Sequence, residues 1–251
     1  VILHDLNGDG DRDLAVTNKV SDNVSVLLNK GDGTFAAQVT YGVGVGPQSV
    51  AMGDLNGDGD RDLVVANADR GNVSVLLNHG DGTFAADVLY AAGLGPESVA
   101  VGDLNGDGDL DLAVANRSSD IVSVLLNNGN GTFASQMLYA TGSSPRSVAV
   151  GDLNGDGDLD LAVANGSSGN VSVRLNNGDG TFAVQLPYGA GNGPQSVAVG
   201  DLNGDGDRDL AVANAAGDNV SVLLNNGDGT FAADVRYASG DGPASVQVGD
   251  V

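Results

Sequence analysis

Cysteine and tryptophan are absent from these 251 residues, and Lys plus Arg number only 10 against 33 Asp plus Glu. Without cysteine there are no disulfides, no thiolate metal ligands and no thiol nucleophile. A formal charge of −23 excludes a general binder of nucleic acid or of an anionic membrane surface, because ten scattered cations make no basic footprint. No run approaches the roughly 20 apolar residues of a membrane span, so membrane insertion is not expected. No charged-then-apolar leader opens the chain. The chain also begins without Met, which reads as a processed or excised piece. Glutamate occurs once, as Glu97, and aromatics make up 4 %. What remains is 40 Gly and a 41 % hydrophobic fraction with mean hydropathy near zero, enough to bury a core.

The chain repeats itself. The tract beginning Asp5-Leu6-Asn7-Gly8-Asp9-Gly10-Asp11 returns at Asp54, Asp103, Asp152 and Asp201, each 49 residues on, and Asp250 opens a sixth copy. The five Phe (35, 84, 133, 182 and 231) and the five Tyr (41, 90, 139, 188 and 237) keep the same interval. A period in the range of 20 to 50 residues signals a solenoid, a propeller or an array, and this one is close to the length of a four-stranded propeller blade. The units run approximately 1–48, 49–97, 98–146, 147–195 and 196–245, with 246–251 starting a sixth.

Four short runs per unit read as strands. In the second unit they are Ser49 to Leu55, Leu63 to Asn67, Val73 to Asn78 and Phe84 to Tyr90, each rich in Val, Leu or aromatics and bounded by Gly, Asn, Asp or Pro. Spacing by two puts Val73, Val75 and Leu77 on one face of the third run, and Phe84, Ala86, Val88 and Tyr90 on one face of the fourth. The remaining faces carry Ala, Ser and Gly, which suits sheets covered on both sides. Radially stacked blades bury both sides in this way. The expected fold class is therefore all-β, a β-propeller of four-stranded antiparallel blades.

The acidic tract carries the chemistry. D-x-N-G-D-G-D-x-D matches the first nine places of a calcium loop, with oxygen side chains at places 1, 3, 5 and 9, Gly at place 6 for the bend, and a backbone carbonyl available at place 7. The candidate metal residues are Asp5, Asn7, Asp9, Asp11 and Asp13 in the first unit and Asp54, Asn56, Asp58, Asp60 and Asp62 in the second. They are Asp103, Asn105, Asp107, Asp109 and Asp111 in the third, and Asp152, Asn154, Asp156, Asp158 and Asp160 in the fourth. The fifth has Asp201, Asn203, Asp205, Asp207 and Asp209. All are hard oxygen donors, with no Cys and no repeated His, which favours Ca²⁺ over zinc; the wrapped loop favours it over magnesium. One Ca²⁺ per repeat, five in all, is expected. An EF-hand would need flanking helices and a Glu at place 12, where Val16, Val65, Val114, Val163 and Val212 stand instead. Turn formation alone would explain Asp, Asn and Gly. It does not explain 20 of the 33 acids crowded into five loops, where bare carboxylates repel one another.

The Asp tract followed by Asp-Leu-Ala-Val-Ala-Asn, then Asn-Val-Ser-Val-Leu-Leu-Asn, then Gly-Asp-Gly-Thr-Phe and Gly-Pro-x-Ser, resembles the FG-GAP/VCBS repeat of integrin-α-type β-propellers. The resemblance spans essentially the whole chain. It implies calcium in the hairpin between the first two strands of each blade, on a secreted or cell-surface protein that mediates adhesion or recognition. Some such propellers are lectins, and some are scaffolds in polysaccharide-cleaving enzymes. Propellers of this kind typically have seven blades, whereas five units and a stub occur here. Residues 1–6 and 246–251 are equivalent, so a closed five-blade ring would have two claimants for one inner strand. A slice of a larger ring is the favoured alternative.

Up-and-down strands place the Asp loops and the turns between third and fourth strands on one rim, which hardly varies. The other rim varies: Lys19 to Asp22, Ala68 to Gly71, Arg117 to Asp120, Gly166 to Gly169 and Ala215 to Asp218, with the inter-unit segments ending at Gln48, Glu97, Arg146, Gln195 and Ala244. Variable loops on a rigid scaffold suit recognition of a protein or extracellular-matrix ligand, with a glycan as the alternative. A lectin should carry an aromatic in each variable loop for stacking, and none is there. No catalysis is expected: paired carboxylates would have to come from Asp already committed to loops, and His4 and His79 occupy unrelated places with no nucleophile elbow. The sequons at Asn23, Asn72, Asn170 and Asn219 also begin a strand in each unit, which accounts for them without sugar.

Overall fold

The structure is a computed structural model and describes residues 1–249; Asp250, with the rest of the sixth tract, lies outside the described residues. Among the described residues, twenty strands form five four-stranded sheets, each in the order of the chain and each antiparallel throughout. Numbered in chain order, the first strands are β1 (Ile2–His4), β5 (Pro47–Gly53), β9 (Pro96–Gly102), β13 (Pro145–Gly151) and β17 (Pro194–Gly200). The second strands are β2 (Asp13–Asn18), β6 (Asp62–Asn67), β10 (Asp111–Asn116), β14 (Asp160–Asn165) and β18 (Asp209–Asn214). The third are β3 (Asn23–Leu27), β7 (Asn72–Leu76), β11 (Ile121–Leu125), β15 (Asn170–Arg174) and β19 (Asn219–Leu223). The fourth are β4 (Val39–Gly42), β8 (Val88–Ala91), β12 (Met137–Ala140), β16 (Leu186–Gly189) and β20 (Val235–Ala238). The described residues contain no helix.

Successive first strands pack on one another, β5 on β9, β9 on β13 and β13 on β17, so they line the axis of the assembly. Glycine eases that approach: a Cβ on Gly53 would stand 2.7 Å from Leu110 Cδ1 of the next unit, whose side chain would have to move. Pro opens each complete first strand, where it forfeits no ladder bond, and the register shifts by one residue directly after it. The second strands are buried on both faces, as in Asp62–Asn67, which explains why Asp-Leu-Val-Val-Ala-Asn reads as a continuous apolar run rather than an alternating one.

The fourth strand departs from the sequence expectation. Pairing breaks after Phe84, which forms only an isolated bridge with Asn78, and resumes at Val88. Phe84 is buried, yet Ala86 and Val88 are exposed, so the four residues do not share a face. The reason is packing between sheets: the Phe84 ring meets Tyr41 of the preceding sheet edge-on, with centroids 5.4 Å apart. Phe133, Phe182 and Phe231 repeat this against Tyr90, Tyr139 and Tyr188 at 5.3–5.5 Å. Each core cluster is accordingly shared, one face of a sheet supplying Val24 and Val26 and the next sheet supplying Leu63, Val65 and Leu76. Burying a side chain of this size contributes about 1.5–3 kcal/mol.

Among the described residues, the fifth sheet does not pair with the first. Residues 246–249 instead continue the arc beside β17. Val246 N–H donates to Ser196 Oγ at 3.3 Å, the bond that Val148 makes to Ser98 and Val197 to Ser147 between neighbouring first strands. Leu202 is 39 % exposed, whereas its equivalents Leu55, Leu104 and Leu153 are 1 % exposed beneath a following sheet.

Candidate metal centre and variable rim

Each acidic loop folds around its first carboxylate. In the second unit Asp54 Oδ1 accepts from Gly57 N–H at 2.8 Å and Oδ2 from Gly59 N–H at 2.9 Å. Both glycines have positive φ, 75° and 95°, which supplies the tight path round the carboxylate. Asn56 Nδ2 donates to Asp58 Oδ2 at 2.7 Å, and Asp58 Oδ1 accepts from Asp60 N–H at 2.9 Å. The same pattern recurs in the other units, as at Asp5 to Asp11 and Asp201 to Asp207. The structure thus gathers places 1, 3 and 5 into one hydrogen-bonded turn. The place 7 carboxylates lean the other way, so that a Cβ on Gly80 would stand 2.6 Å from Asp60 Oδ2.

Place 9 is separate and buried. Asp62 is fully buried, with Oδ2 accepting from Leu55 N–H and Oδ1 from Asn78 N–H, both at 2.8 Å. It therefore ties the acidic loop to the turn after the third strand, which puts both on one rim. Asp13, Asp111, Asp160 and Asp209 do the same. The Asn in that turn forms a further link. Asn78 Nδ2 donates to Leu6 O of the preceding sheet at 2.8 Å, and Asn127, Asn176 and Asn225 reach Leu55, Leu104 and Leu153 likewise. These asparagines escaped the sequence reading, though their return every 49 residues directly before Lys, His or Asn and Gly was a visible signal.

Burial is the main force pushing the carboxyls of Asp62, Asp111 and Asp160 up to about 6; their backbone hydrogen bonds oppose it, and the loop carboxylates at places 5 and 1 add repulsion. The N–H groups of Gly204 and Gly206 hold the Asp201 carboxyl below its ordinary value. Between pH 4 and 6 the folded chain keeps protons on the raised groups that the unfolded chain has released, so stability falls as pH rises through this window. Each such group accounts for at most about 3 kcal/mol, less where solvent screens it. Without divalent ions, the melting temperature should drop between pH 4 and pH 7, by calorimetry; a rise over that interval would contradict the assignment.

The donor set fits calcium by chemistry: only hard oxygens, on one loop, with a desolvated carboxylate beneath. Among the described residues no three Asp, Glu or His groups converge on a common point, because the loop oxygens are turned to the loop's own N–H groups.

The opposite rim is braced across its two halves. Asp22, Asp120 and Asp218, at φ of 50–56°, accept from the N–H of Gly46, Ser144 and Gly242 in the following inter-sheet segments at 2.7–2.9 Å. Backbone bonds such as Ala68 N–H to Gly46 O at 3.0 Å add to this. Arg117 and Glu97 face each other there at 4.0 Å. The sequon asparagines lie in strands, and Asn72 Oδ1 accepts from buried Asn67 Nδ2 at 2.9 Å, with Asn23, Asn170 and Asn219 engaged alike. His79 is exposed and His4 half-buried beside Asp5 O.

The FG-GAP-like repeat family matches at residues 5–65, 54–114, 103–163, 152–212 and 201–251. The chain belongs to the FG-GAP-like repeat family. Among curated proteins no relative matches it. Similar solved structures include an Agrocybe aegerita lectin specific for non-reducing terminal N-acetylglucosamine, 24 % identical with a TM-score of 0.63, covering 93 % of this chain and 64 % of that one. A putative 6-phosphogluconolactonase from Bacteroides uniformis is 17 % identical with a TM-score of 0.70, covering 92 % and 69 %. The V. cholerae biofilm matrix protein Bap1 is 23 % identical with a TM-score of 0.55, covering 94 % and 38 %. The FG-GAP-like chain thus spans less than two thirds of the lectin and of the matrix protein. At these identities the likeness is one of fold.

Proposed function

We propose that this FG-GAP-like chain is a calcium-stabilised, non-catalytic recognition module of a secreted or cell-surface protein, binding a protein or matrix partner through its variable rim. The observation that carries this reading is the bracing of that rim: loops whose side chains differ from unit to unit share a positive-φ turn, held by Asp22, Asp120 and Asp218 in three of the five units and by backbone bonds to Gly71 O and Gly169 O in the other two. A rim ordered in advance loses little entropy on binding. Calcium at the other rim supplies positive charge, ten units for five ions against a formal −23. The chain's own residues do the rest: places 1, 3 and 5 offer the oxygens, and place 9 anchors the loop to the neighbouring turn.

Sugar binding is the competing reading. The Phe and Tyr rings that could stack on a sugar are paired between sheets instead, as in Tyr90 and Phe133. A pull-down from cell-surface and matrix extracts, run beside a glycan array with calcium present, separates the two. The expected result is a protein partner lost on substitution of Arg70, Arg117 and Arg146 and no glycan signal. A glycan hit with no protein partner would overturn the proposal.

A further inference from the structure

Between the second and third sheets, on their outer side, lies an open cavity of about 370 Å³ lined by residues that include Tyr90, Ala91, Leu125, Phe133, Ala134 and Gln136. Forty-nine residues on, between the third and fourth sheets, the same positions are Tyr139, Ala140, Arg174, Phe182, Ala183 and Gln185. Leu125 has become an arginine. Arg174 is only 6 % exposed, and among the described residues no carboxylate lies within ion-pair distance of it. Its guanidinium is held by backbone and ring: Nε donates to Ala140 O at 3.2 Å, Nη2 to the same oxygen, Nη1 to Ala183 O, and the carbon centre sits 5.3 Å from the Tyr139 centroid. Carbonyls and a ring face stabilise this cation in place of a counter-ion.

A second arginine makes a related crossing. Arg236 of the fifth sheet donates from Nη2 to Ala190 O, just past the end of β16, at 3.0 Å, while its Nε is paired with Asp234 Oδ2 of its own unit at 2.6 Å, so a carboxylate shares this charge. The carbonyl-and-ring arrangement that holds a guanidinium without a counter-ion is therefore the one around Arg174. The groove between the second and third sheets has the matching carbonyl positions, Ala91 and Ala134, and the matching ring, Tyr90, with the shorter Leu125 leaving space.

We infer that the groove between the second and third sheets is a receptor for the guanidinium of an arginine side chain on a partner protein, held by Ala91 O, Ala134 O and the Tyr90 ring as Arg174 is held one repeat later. The site is distinct from the variable rim and from the acidic loops. The net charge of −23 favours approach of a cationic partner. Arginine is preferred over lysine because a planar fork can serve two separated carbonyls while stacking on the ring, whereas an ammonium is a hydrated point charge.

The test titrates ¹⁵N-labelled chain with N-acetyl-arginine amide in millimolar calcium and follows the amide signals of Ser135 and Gln136. Saturable shifts with Kd on the order of 1–10 mM are expected for a single side chain, and N-acetyl-lysine amide should bind at least about fivefold more weakly. Leu125→Arg, which fills the groove from within, should abolish the shifts, and Arg174→Leu should create a second set at Val184 and Gln185. Should Arg174→Leu fail to fold, the Leu125→Arg comparison decides alone. Shifts that are absent, that survive in Leu125→Arg, or that are equal for the lysine probe would overturn the inference; a change of one charge on this background is too small to imitate the loss.

Discussion

Stripping divalent ions lowers the melting temperature of this chain by tens of degrees or unfolds it at ambient temperature. Calcium that binds only the folded state stabilises by RT ln(1 + [Ca²⁺]/Kd) per site. With Kd on the order of 10⁻⁵ to 10⁻⁴ M and roughly millimolar calcium, each site contributes about 1.4–2.7 kcal/mol. Five sites together rival the ~5–15 kcal/mol stability of a whole domain. For a chain of this length 1 kcal/mol moves the melting temperature by about 2–4 °C. The effect is sharpened by Asp62, Asp111 and Asp160, which at neutral pH carry charge in a buried setting beside the loop carboxylates. Differential scanning calorimetry with and without chelator measures it, and coincident curves would remove calcium from the account of stability.

The second large effect separates the two rims. Asp58→Ala removes a loop oxygen together with the acceptors for Asn56 Nδ2 and Asp60 N–H, and should cost about 2–4 kcal/mol in millimolar calcium. Asp69→Ala, on the exposed variable rim, removes no hydrogen bond of the fold and should stay within about 0.5 kcal/mol. Denaturant melts of both variants, with calcium and with chelator, give the comparison. In chelator the Asp58→Ala deficit should shrink to about 1 kcal/mol, because only the hydrogen bonds are then lost. Equal costs for the two variants would contradict the proposed division of labour between the acidic-loop rim and the variable rim.

Much of this architecture is legible before any coordinates. The 49-residue period, the alternation at Val73, Val75 and Leu77, and the turn residues between them specify four strands and their order, because these signals are local. The fourth strand was misread for the opposite reason. Phe84 and Val88 sit at strand spacing, but the Phe84 ring is claimed by Tyr41 of another sheet, and no periodicity within the run reports that contact. The acidic loop was legible as a donor set through the spacing of Asp54, Asn56 and Asp58. The division of labour inside it was not: spacing makes Asp62 one more oxygen, whereas folding buries it between Leu55 N–H and Asn78 N–H. Its role depends on a turn 16 residues away in sequence. Ring closure is a long-range property too. Residues 1–6 and 246–251 are equivalent by arithmetic, and the packing of residues 246–249 beside β17 rests on contacts between units that no local spacing reports.

Calcium bound per chain, measured by isothermal titration of chelator-stripped protein at pH 7, decides whether the five acidic loops are metal sites. About five ions should bind, with heat that disappears from one site when Asp58 is replaced by Ala. Absence of saturable binding up to ten millimolar calcium, with the chain still folded, would contradict that assignment.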